Sequence, residues 1–507
     1  MEGQTMLDYS YKVKDKCQVM STMNQIKIDD AVVPVDPQLL FQRLSIAVSR
    51  DPQIDLKDVF KYELSTSPAA LFSDNDGLMR EANKPQLAIE IWNHVSDPAS
   101  VCVLPDNVAY VLDGGYLLQK IQGWTKGKTF CNIIQLYIDY VKRYYGAGTV
   151  VVFDGGYDKP STKDSTHLRR TKFKKGKEVK FSKNMSLNMK KEDFLLNRRN
   201  KQHFLELLCE EFNSQGLLAT QSSCDADYDI VKTAIRSSEV QPTVLIGDDT
   251  DLLCLLLYHS TENNEIYFTA EQKSNMEKPK IWDIKATKQK LGEDICKRIL
   301  LVHALLGCDT TSRVFGVNKA TAFKVLKNKD FCITADVFLS NNSKPDDVIT
   351  AGEELLLIVL GAKGEKSLDD FRQVKFSQKL ATSTRVVLPE TLGPTSNAAS
   401  FHSLRVYLQV QQWIGVQDID PLSYGLVLKN DYILPIRMSK PAAPPYLLKM
   451  IMCGCKGECQ SRCTCFKYKL KCTAMCTNCR GVSCLNCSEP MNNDEDPNKS
   501  QCTSNSG

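Results

Sequence analysis

Three stretches share one pattern: Val108-Ala-Tyr-Val-Leu-Asp113-Gly-Gly115, Thr149-Val-Val-Val-Phe-Asp154-Gly-Gly156 and Thr243-Val-Leu-Ile-Gly-Asp248-Asp-Thr-Asp251. Each is a short apolar run, rich in β-branched residues, that stops at an acid beside glycine. Runs of this length bounded by turn residues read as buried strands. Between them, residues 130–145 and 194–212 place apolar side chains at helical spacing. The alternation predicts an α/β fold, a mostly parallel sheet flanked by helices. In such a sheet ligands bind beyond the carboxyl ends of the strands, which is where these acids fall.

Two more acid clusters lie along the same region, Asp225-Ala-Asp227-Tyr-Asp229 and Gly307-Cys308-Asp309. Any single aspartate after a strand is an ordinary turn or helix-capping residue. Several converging on one sheet edge repel one another unless cations neutralise them. Hard divalent cations such as Mg²⁺ prefer carboxylate oxygens. A pair of them about 4 Å apart activates water and stabilises the leaving oxygen in phosphodiester hydrolysis.

The order of these elements resembles the flap-endonuclease and XPG-like branch of the PIN-domain nucleases, over residues 106–330. The resemblance maps the family's metal-binding acids onto Asp113, Asp154, Asp225, Asp227, Asp249, Asp251 and Asp309. It implies that they hold two Mg²⁺ or Mn²⁺ ions, with Asp248 and Asp229 as neighbours in supporting or capping roles. Aspartate stands at 225 and 227 where the family carries glutamate, which shortens the reach by one methylene. About a hundred residues precede Asp113, where the family's flap endonucleases begin almost at the first strand.

Residues 159–201 carry 15 Lys or Arg and four Asp or Glu, a net charge of +11. As a charged loop this segment would be unremarked, or it would read as a nuclear-localisation stretch. The resemblance makes it the arch over the metals, with Lys163 and Arg170 at the family's spacing after Pro160. Those two are then candidates for stabilising the phosphate in the transition state, with Arg169 as an alternative to Arg170. Lys172, Lys174, Lys175 and Lys177 would contact phosphates without reading sequence. Phe173 and Phe181 could stack on bases or pack. After Asp309, Gly316-Val317-Asn318-Lys319 resembles the turn of the family's helix-two-turn-helix over residues 307–327, which holds a duplex phosphate on backbone N–H groups. Asn318 stands where the family has a second glycine, and asparagine is the next most tolerant residue of a left-handed turn.

The whole chain of 507 residues has 64 Lys or Arg against 60 Asp or Glu, a net +4 that conceals this basic segment. A hydrophobic fraction of 42% and a charged fraction of 24% exclude a mainly disordered chain. The apolar runs near residues 299–306 and 355–360 are far too short for a membrane span. The start has no basic n-region and no apolar h-region, so no secretory signal is expected, and no membrane partner is expected either. No Gly-x4-Gly-Lys-Ser/Thr motif is present, and the six histidines are dispersed without a catalytic pairing. His303 reads as a packed core residue.

Ten of the 20 cysteines lie between Cys453 and Cys487. They are Cys453, Cys455, Cys459, Cys463, Cys465, Cys472, Cys476, Cys479, Cys484 and Cys487. Thiolates two to four residues apart turn onto tetrahedral Zn²⁺, and two or three zinc ions are expected. The pattern resembles the tesmin-type CXC module, which implies DNA binding, or protein and chromatin docking, through a zinc knot. The organisation expected is an N-terminal mixed region at 1–105 without visible chemistry, the nuclease-like domain at 106–330, a mostly helical extension and linker at 331–445, the cysteine-rich zinc module at 446–490 and a disordered tail at 491–507. The leading reading is a structure-selective nuclease acting on DNA, or RNA, in the nucleus or also the cytoplasm. The rival is a catalytically inactive PIN-like protein that binds nucleic acid or chromatin.

Overall fold

A computed structural model describes residues 25–28, 31–34, 37–50, 54–73, 77–95, 103–157, 159–223, 225–270, 280–382, 387–416, 418–456, 458–473, 475–481 and 484–487. The tail expected at 491–507 lies outside them. The chain divides into two compact units, one of residues 1–66 with 440–507 and one of residues 67–439. The region expected as one N-terminal stretch, 1–105, is therefore shared between both units. No helix among the described residues is long and apolar enough to cross a membrane.

The first unit contains strands β1 (Gln25–Ile28) and β2 (Ala31–Pro34), paired antiparallel. Helix Pro37–Arg50 buries Leu40, Phe41, Leu44 and Ala47, one face at helical spacing. The unit also holds helices Leu56–Phe60, Pro445–Met450 and Thr464–Lys467. Arg43, 4% exposed on that first helix, donates to the carbonyls of Ile451 and Lys471 and lies 3.3 Å from Cys465 Sγ. A buried guanidinium needs several acceptors, and the chain around the cysteines supplies them.

The second unit is built on six strands: β3 (Ala109–Asp113), β4 (Val150–Phe153), β5 (Leu218–Gln221), β6 (Thr243–Ile246), β7 (Ile266–Thr269) and β8 (Trp282–Asp283). Their spatial order is β5-β4-β3-β6-β7-β8, parallel throughout except for β8 at one edge. The three acid-terminated runs are the central strands β4, β3 and β6. β3 and β6 are neighbours although the chain leaves β3 toward β4, so the strand order reverses between them.

Both sheet faces are buried, as a parallel sheet requires. Val111, Val152, Leu245 and Phe268 face one core, with helices Asp227–Ser238, Thr250–His259 and Glu293–Leu305. Leu112, Val151, Phe153, Val244 and Ile246 face the other, with helices Phe130–Tyr144 and Arg198–Ser214. Helix Phe130–Tyr144 shows why it forms. Thr129 caps its start by accepting from Asn132 N, and Phe130, Ile133, Ile134, Tyr137, Ile138 and Val141 bury one stripe. The helix read across 194–212 is in fact two, Lys191–Leu195 and Arg198–Ser214, divided where Asn197 caps the second by accepting from Arg199 N and Asn200 N.

Residues 331–439 are mostly helical, through Pro345–Leu360, Leu368–Thr382 and Ser396–Ile414. They also hold a hairpin, β9 (Leu426–Lys429) and β10 (Tyr432–Pro435), that the helical reading did not include. Its turn residues Asn430 and Asp431 have φ of 51° and 61°, the pair of positive values that marks a type I′ two-residue hairpin turn.

Candidate metal and nucleic-acid site

The carboxyl ends of β3, β4 and β6 open into one cleft of about 1390 Å³. Among its lining residues are Asp113, Asp154, Asp227, Asp248, Asp249 and Asp309. The point where strand order reverses is where an open parallel sheet leaves a crevice, and Asp113 and Asp249 sit on its two sides.

Glycines make this packing possible. A Cβ at Gly155 would stand 1.9 Å from the carbonyl oxygen of Ser222, and one at Gly114 would stand 2.3 Å from the Phe153 ring. Neither gap admits a side chain, so the glycine directly after Asp113 and the one directly after Asp154 are packing requirements.

Two of the acids are held by the helices they start. Asp113 Oδ1 accepts from Gly115 N at 2.7 Å and Tyr116 N at 3.2 Å, capping helix Gly114–Lys120. Asp249 Oδ1 accepts from Asp251 N at 3.0 Å and caps helix Thr250–His259. The capping role and a place in the cleft thus belong to the same residues. Asp154 accepts from Ala226 N at 3.0 Å and from the Tyr157 hydroxyl at 2.8 Å.

Two lysines divide the remaining oxygens. Lys163 Nζ lies 2.7 Å from Asp225 Oδ1 and 3.1 Å from Asp227 Oδ2. Lys84 Nζ lies 2.9 Å from Asp251 Oδ2, 3.1 Å from Asp309 Oδ2 and 3.4 Å from Asp249. Oxygens of Asp249, Asp251 and Asp309 all lie within 4.8 Å of one another, a group that could hold a metal ion. Arg170 reaches Asp309 Oδ2 at 3.3 Å from the exposed side.

Electrostatics separates the acids. Burial, and then the Asp154 charge, push Asp113 up to about 7. Burial and then Asp251 push Asp249 to about 6. Burial also works against ionising Asp251, but Lys84 and then His303 outweigh it and hold that carboxyl well below the usual range. Asp309 is lowered for a similar reason, with Lys84 overcoming burial. A cluster in which some acids are driven toward neutrality is one that a divalent cation would relieve.

Behind Asp251 runs a buried chain of polar contacts. His303 Nε2 is 2.7 Å from Asp251 Oδ1, and Lys319 Nζ is 2.7 Å from His303 Nδ1. The ammonium can only donate, so Nδ1 accepts and Nε2 carries the proton it gives to Asp251. Trp413 stacks on the imidazole at 5.4 Å with the planes 7° apart. His303 is therefore the core histidine the sequence suggested, and it also fixes a carboxylate of the site.

The basic segment is placed unevenly. Lys174, Lys175, Arg170 and Phe173 line the cleft. Arg169 instead donates to the Met79 carbonyl, away from the acids. Lys172 and Lys177 are exposed and outside the cleft lining. Phe181 is buried against Phe130 and Phe194, so it packs and cannot stack on a base.

The turn at 316–319 departs from expectation. Gly316 takes the left-handed conformation, φ 78°, while Asn318 is extended at φ −134°. Val317 and Lys319 are buried, and Lys319 is spent on His303. Lys319 is not presented to a phosphate here, because a buried ammonium is held where its acceptors are.

Three participants were not singled out from sequence, although Lys201 closes the basic segment at 159–201. Lys84 comes from a region that showed no chemistry. Lys201 sits with its ammonium 3.7 Å from the Tyr157 ring, and burial lowers it to about 8 against the pull of Asp154. The β9–β10 hairpin forms part of the cleft wall through Lys429, Asn430, Asp431 and Tyr432. It is pinned by Ile433 N donating to the fully buried Asp164 at 2.8 Å.

The cysteine cluster has metal-site geometry. Sulfurs on one tetrahedral zinc sit about 3.8 Å apart when Zn–S is about 2.3 Å. Observed separations are 3.6 Å for Cys453–Cys459, 3.8 Å for Cys453–Cys472, 3.8 Å for Cys463–Cys472 and 3.5 Å for Cys465–Cys476. A disulfide would need about 2.05 Å. Three groups of four could hold an ion: Cys453, Cys465, Cys472 and Cys476; Cys453, Cys455, Cys459 and Cys463; Cys453, Cys459, Cys472 and Cys479. Cys453 belongs to all three. Cys484 adjoins Cys459 and Cys472 outside these groups, and Cys487 is in none of them.

Residues 1–63 match the model of a domain of unknown function, DUF8702. No curated protein matches the chain in sequence. Solved structures with a similar fold include the T5 D15 protein co-crystallised with metal ions, 14% identical, with a TM-score of 0.30 over 62% of this chain and 100% of that one. Flap endonuclease-1 from Methanococcus jannaschii is 14% identical, with a TM-score of 0.29 over 60% of this chain and 93% of its own. Human GEN1 in complex with Holliday junction DNA is 14% identical, with a TM-score of 0.27 over 64% and 80%.

Proposed function

We propose that this chain is a divalent-metal-dependent nuclease that hydrolyses phosphodiester bonds in structured DNA, or RNA. The observation that carries the reading is the gathering of acids from separate strand ends in one cleft, beneath a basic segment. Asp249, Asp251 and Asp309 would hold one Mg²⁺ or Mn²⁺ ion, and Asp113, Asp154, Asp225 and Asp227 would share in holding a second. When bound, such ions lower the pKa of water and stabilise the leaving oxygen. Arg170 at the cleft mouth, and Lys163 once released from Asp225 and Asp227, would take the charge that develops on the phosphate. The cysteine module, as a CXC-like knot of two or three zinc ions, would help bring the protein to nucleic acid or to a chromatin partner in the nucleus.

The test is cleavage of flapped, branched and single-stranded DNA and RNA by the purified chain with Mg²⁺ or Mn²⁺. No cutting of any substrate, or equal cutting by an Asp154→Ala, Asp249→Ala double variant, would sink the enzyme reading. One observation favours the rival, a non-catalytic binder: Lys84 and Lys163 already neutralise much of the acid cluster. Salt-sensitive but metal-independent binding without turnover is its signature.

Replacing Lys174 and Lys175 together by alanine is expected to weaken binding about equally for all sequences. The slope of log affinity against log salt should fall by about two, one for each lost phosphate contact. A change that depends on base sequence would contradict the phosphate-contact role.

A further inference from the structure

The position of Lys84 is unexplained by its own helix. It opens helix Lys84–Val95, whose first turn holds no acid. A cation there opposes the helix dipole, whose positive end lies at the N-terminus. What holds the charge is instead the group Asp249, Asp251 and Asp309. The ammonium reaches all three carboxylates at 2.9–3.4 Å. Asp249 and Asp251 are 165 and 167 residues away in sequence. The side chain is 14% exposed, so the charge is largely withdrawn from water and depends on these partners.

These are also the carboxylates close enough to share one metal ion. Mg²⁺ demands oxygens at about 2.0–2.1 Å in near-octahedral array. An ion bound by the trio and an ammonium bound by the trio would compete for the same oxygens and the same small volume, with like charges in contact. Lysine suits a reversible occupant, since its charge is a compact point on a flexible four-carbon stem.

We propose that Lys84 is a built-in competitor for the divalent cation at Asp249, Asp251 and Asp309, so that this position loads only as the ammonium withdraws. Without metal the lysine holds the acids together; with metal it sets a threshold concentration for occupancy. This rests on the metal-dependent reading above, and it concerns one of the two ion positions.

The experiment is titration of Mn²⁺ into the full-length, zinc-loaded chain, followed by calorimetry and by the electron paramagnetic resonance of free Mn²⁺. Wild type is compared with Lys84→Met, Lys84→Gln and Lys84→Arg. Removing a unit charge within hydrogen-bond distance should tighten one Mn²⁺ site by about tenfold or more in the Met and Gln variants. The Arg variant should stay weak. In metal-free buffer the neutral variants should melt below wild type, and saturating Mn²⁺ should raise their melting temperature more than it raises that of wild type. Two neutral replacements guard against misfolding of either. Unchanged or weaker Mn²⁺ affinity in both overturns the competition while leaving metal-dependent cleavage by wild type intact. If no variant binds Mn²⁺ and wild type cuts nothing, the metal reading itself fails, and the competition with it.

Discussion

An Asp113→Asn variant is expected to lose about 10³-fold or more in cleavage rate and, in metal-free buffer at pH 8, to melt above wild type. The first half follows from removing a proposed charged metal ligand in the cleft, where a few kcal/mol of transition-state stabilisation correspond to about a thousandfold in rate. The second half follows from the sign of the shift. Burial and Asp154 raise the Asp113 carboxyl from 3.8 to about 7. A carboxyl raised on folding means that the native state binds the extra proton between those values, so stability falls as pH rises through that window. Asparagine removes the cost and still accepts from Gly115 N and Tyr116 N as a helix cap. The advantage should grow from about pH 4 to pH 7 and then level off, reaching about 2–4 °C or more. Saturating Mg²⁺ should stabilise wild type preferentially and reverse the order. Thermal melts at several pH values, with EDTA and with Mg²⁺, check this; an Asp113→Asn chain that melts below wild type at pH 8 in EDTA contradicts the electrostatic account.

The central strands were legible because burial on both faces leaves a continuous apolar run that stops at an acid, and Asp113 and Asp249 also cap the helices that follow. β5 and β8 were less visible. Leu218-Ala-Thr-Gln221 is weakly apolar and exposes Leu218. Trp282–Asp283 is two residues long. Their strand character comes from pairing with neighbours already in place, which no local window contains.

Lys84 shows a different limit. Its charge is matched by acids more than 160 residues away, so no spacing rule could reach it. Lys319 fails in the opposite way. A lysine after a glycine-containing turn reads as a phosphate contact, but the buried face of His303 takes it, and tertiary placement outweighs motif. The β9–β10 hairpin did leave a signal, Leu426-Val-Leu-Lys429 and Tyr432-Ile-Leu-Pro435 about an Asn-Asp turn. It is short and sits beside long helical patterns, and asparagine followed by aspartate is a weaker turn mark than asparagine followed by glycine.

The cysteine module gives the second large effect. Cys453→Ser is expected to cost more than one zinc per chain, whereas Cys487→Ser should cost none, because Cys453 belongs to every group of four and Cys487 to none. Serine keeps the size but supplies a poor ligand for a thiolate-preferring ion. The consequence should extend beyond the metal. Structural zinc in small domains contributes about 10–16 kcal/mol of apparent folding free energy at pH 7, and few other forces are available in so short a segment. The carbonyls of Ile451 and Lys471 that accept from Arg43 are held in place by the chain folded around the cysteines. Stripping zinc should therefore leave a buried guanidinium without its acceptors and loosen helix Pro37–Arg50, which is distant in sequence from every cysteine of the cluster. Limited proteolysis should then cut at residues 37–66 as readily as at 446–487, after either chelation or Cys453→Ser. Acidification should do the same as protons displace the ion from its thiolates. Zinc release measured with a colorimetric chelator, alongside the proteolytic pattern, decides the matter: full zinc content in Cys453→Ser, or an intact Pro37–Arg50 helix after complete zinc removal, would show that the cluster does not hold this unit together.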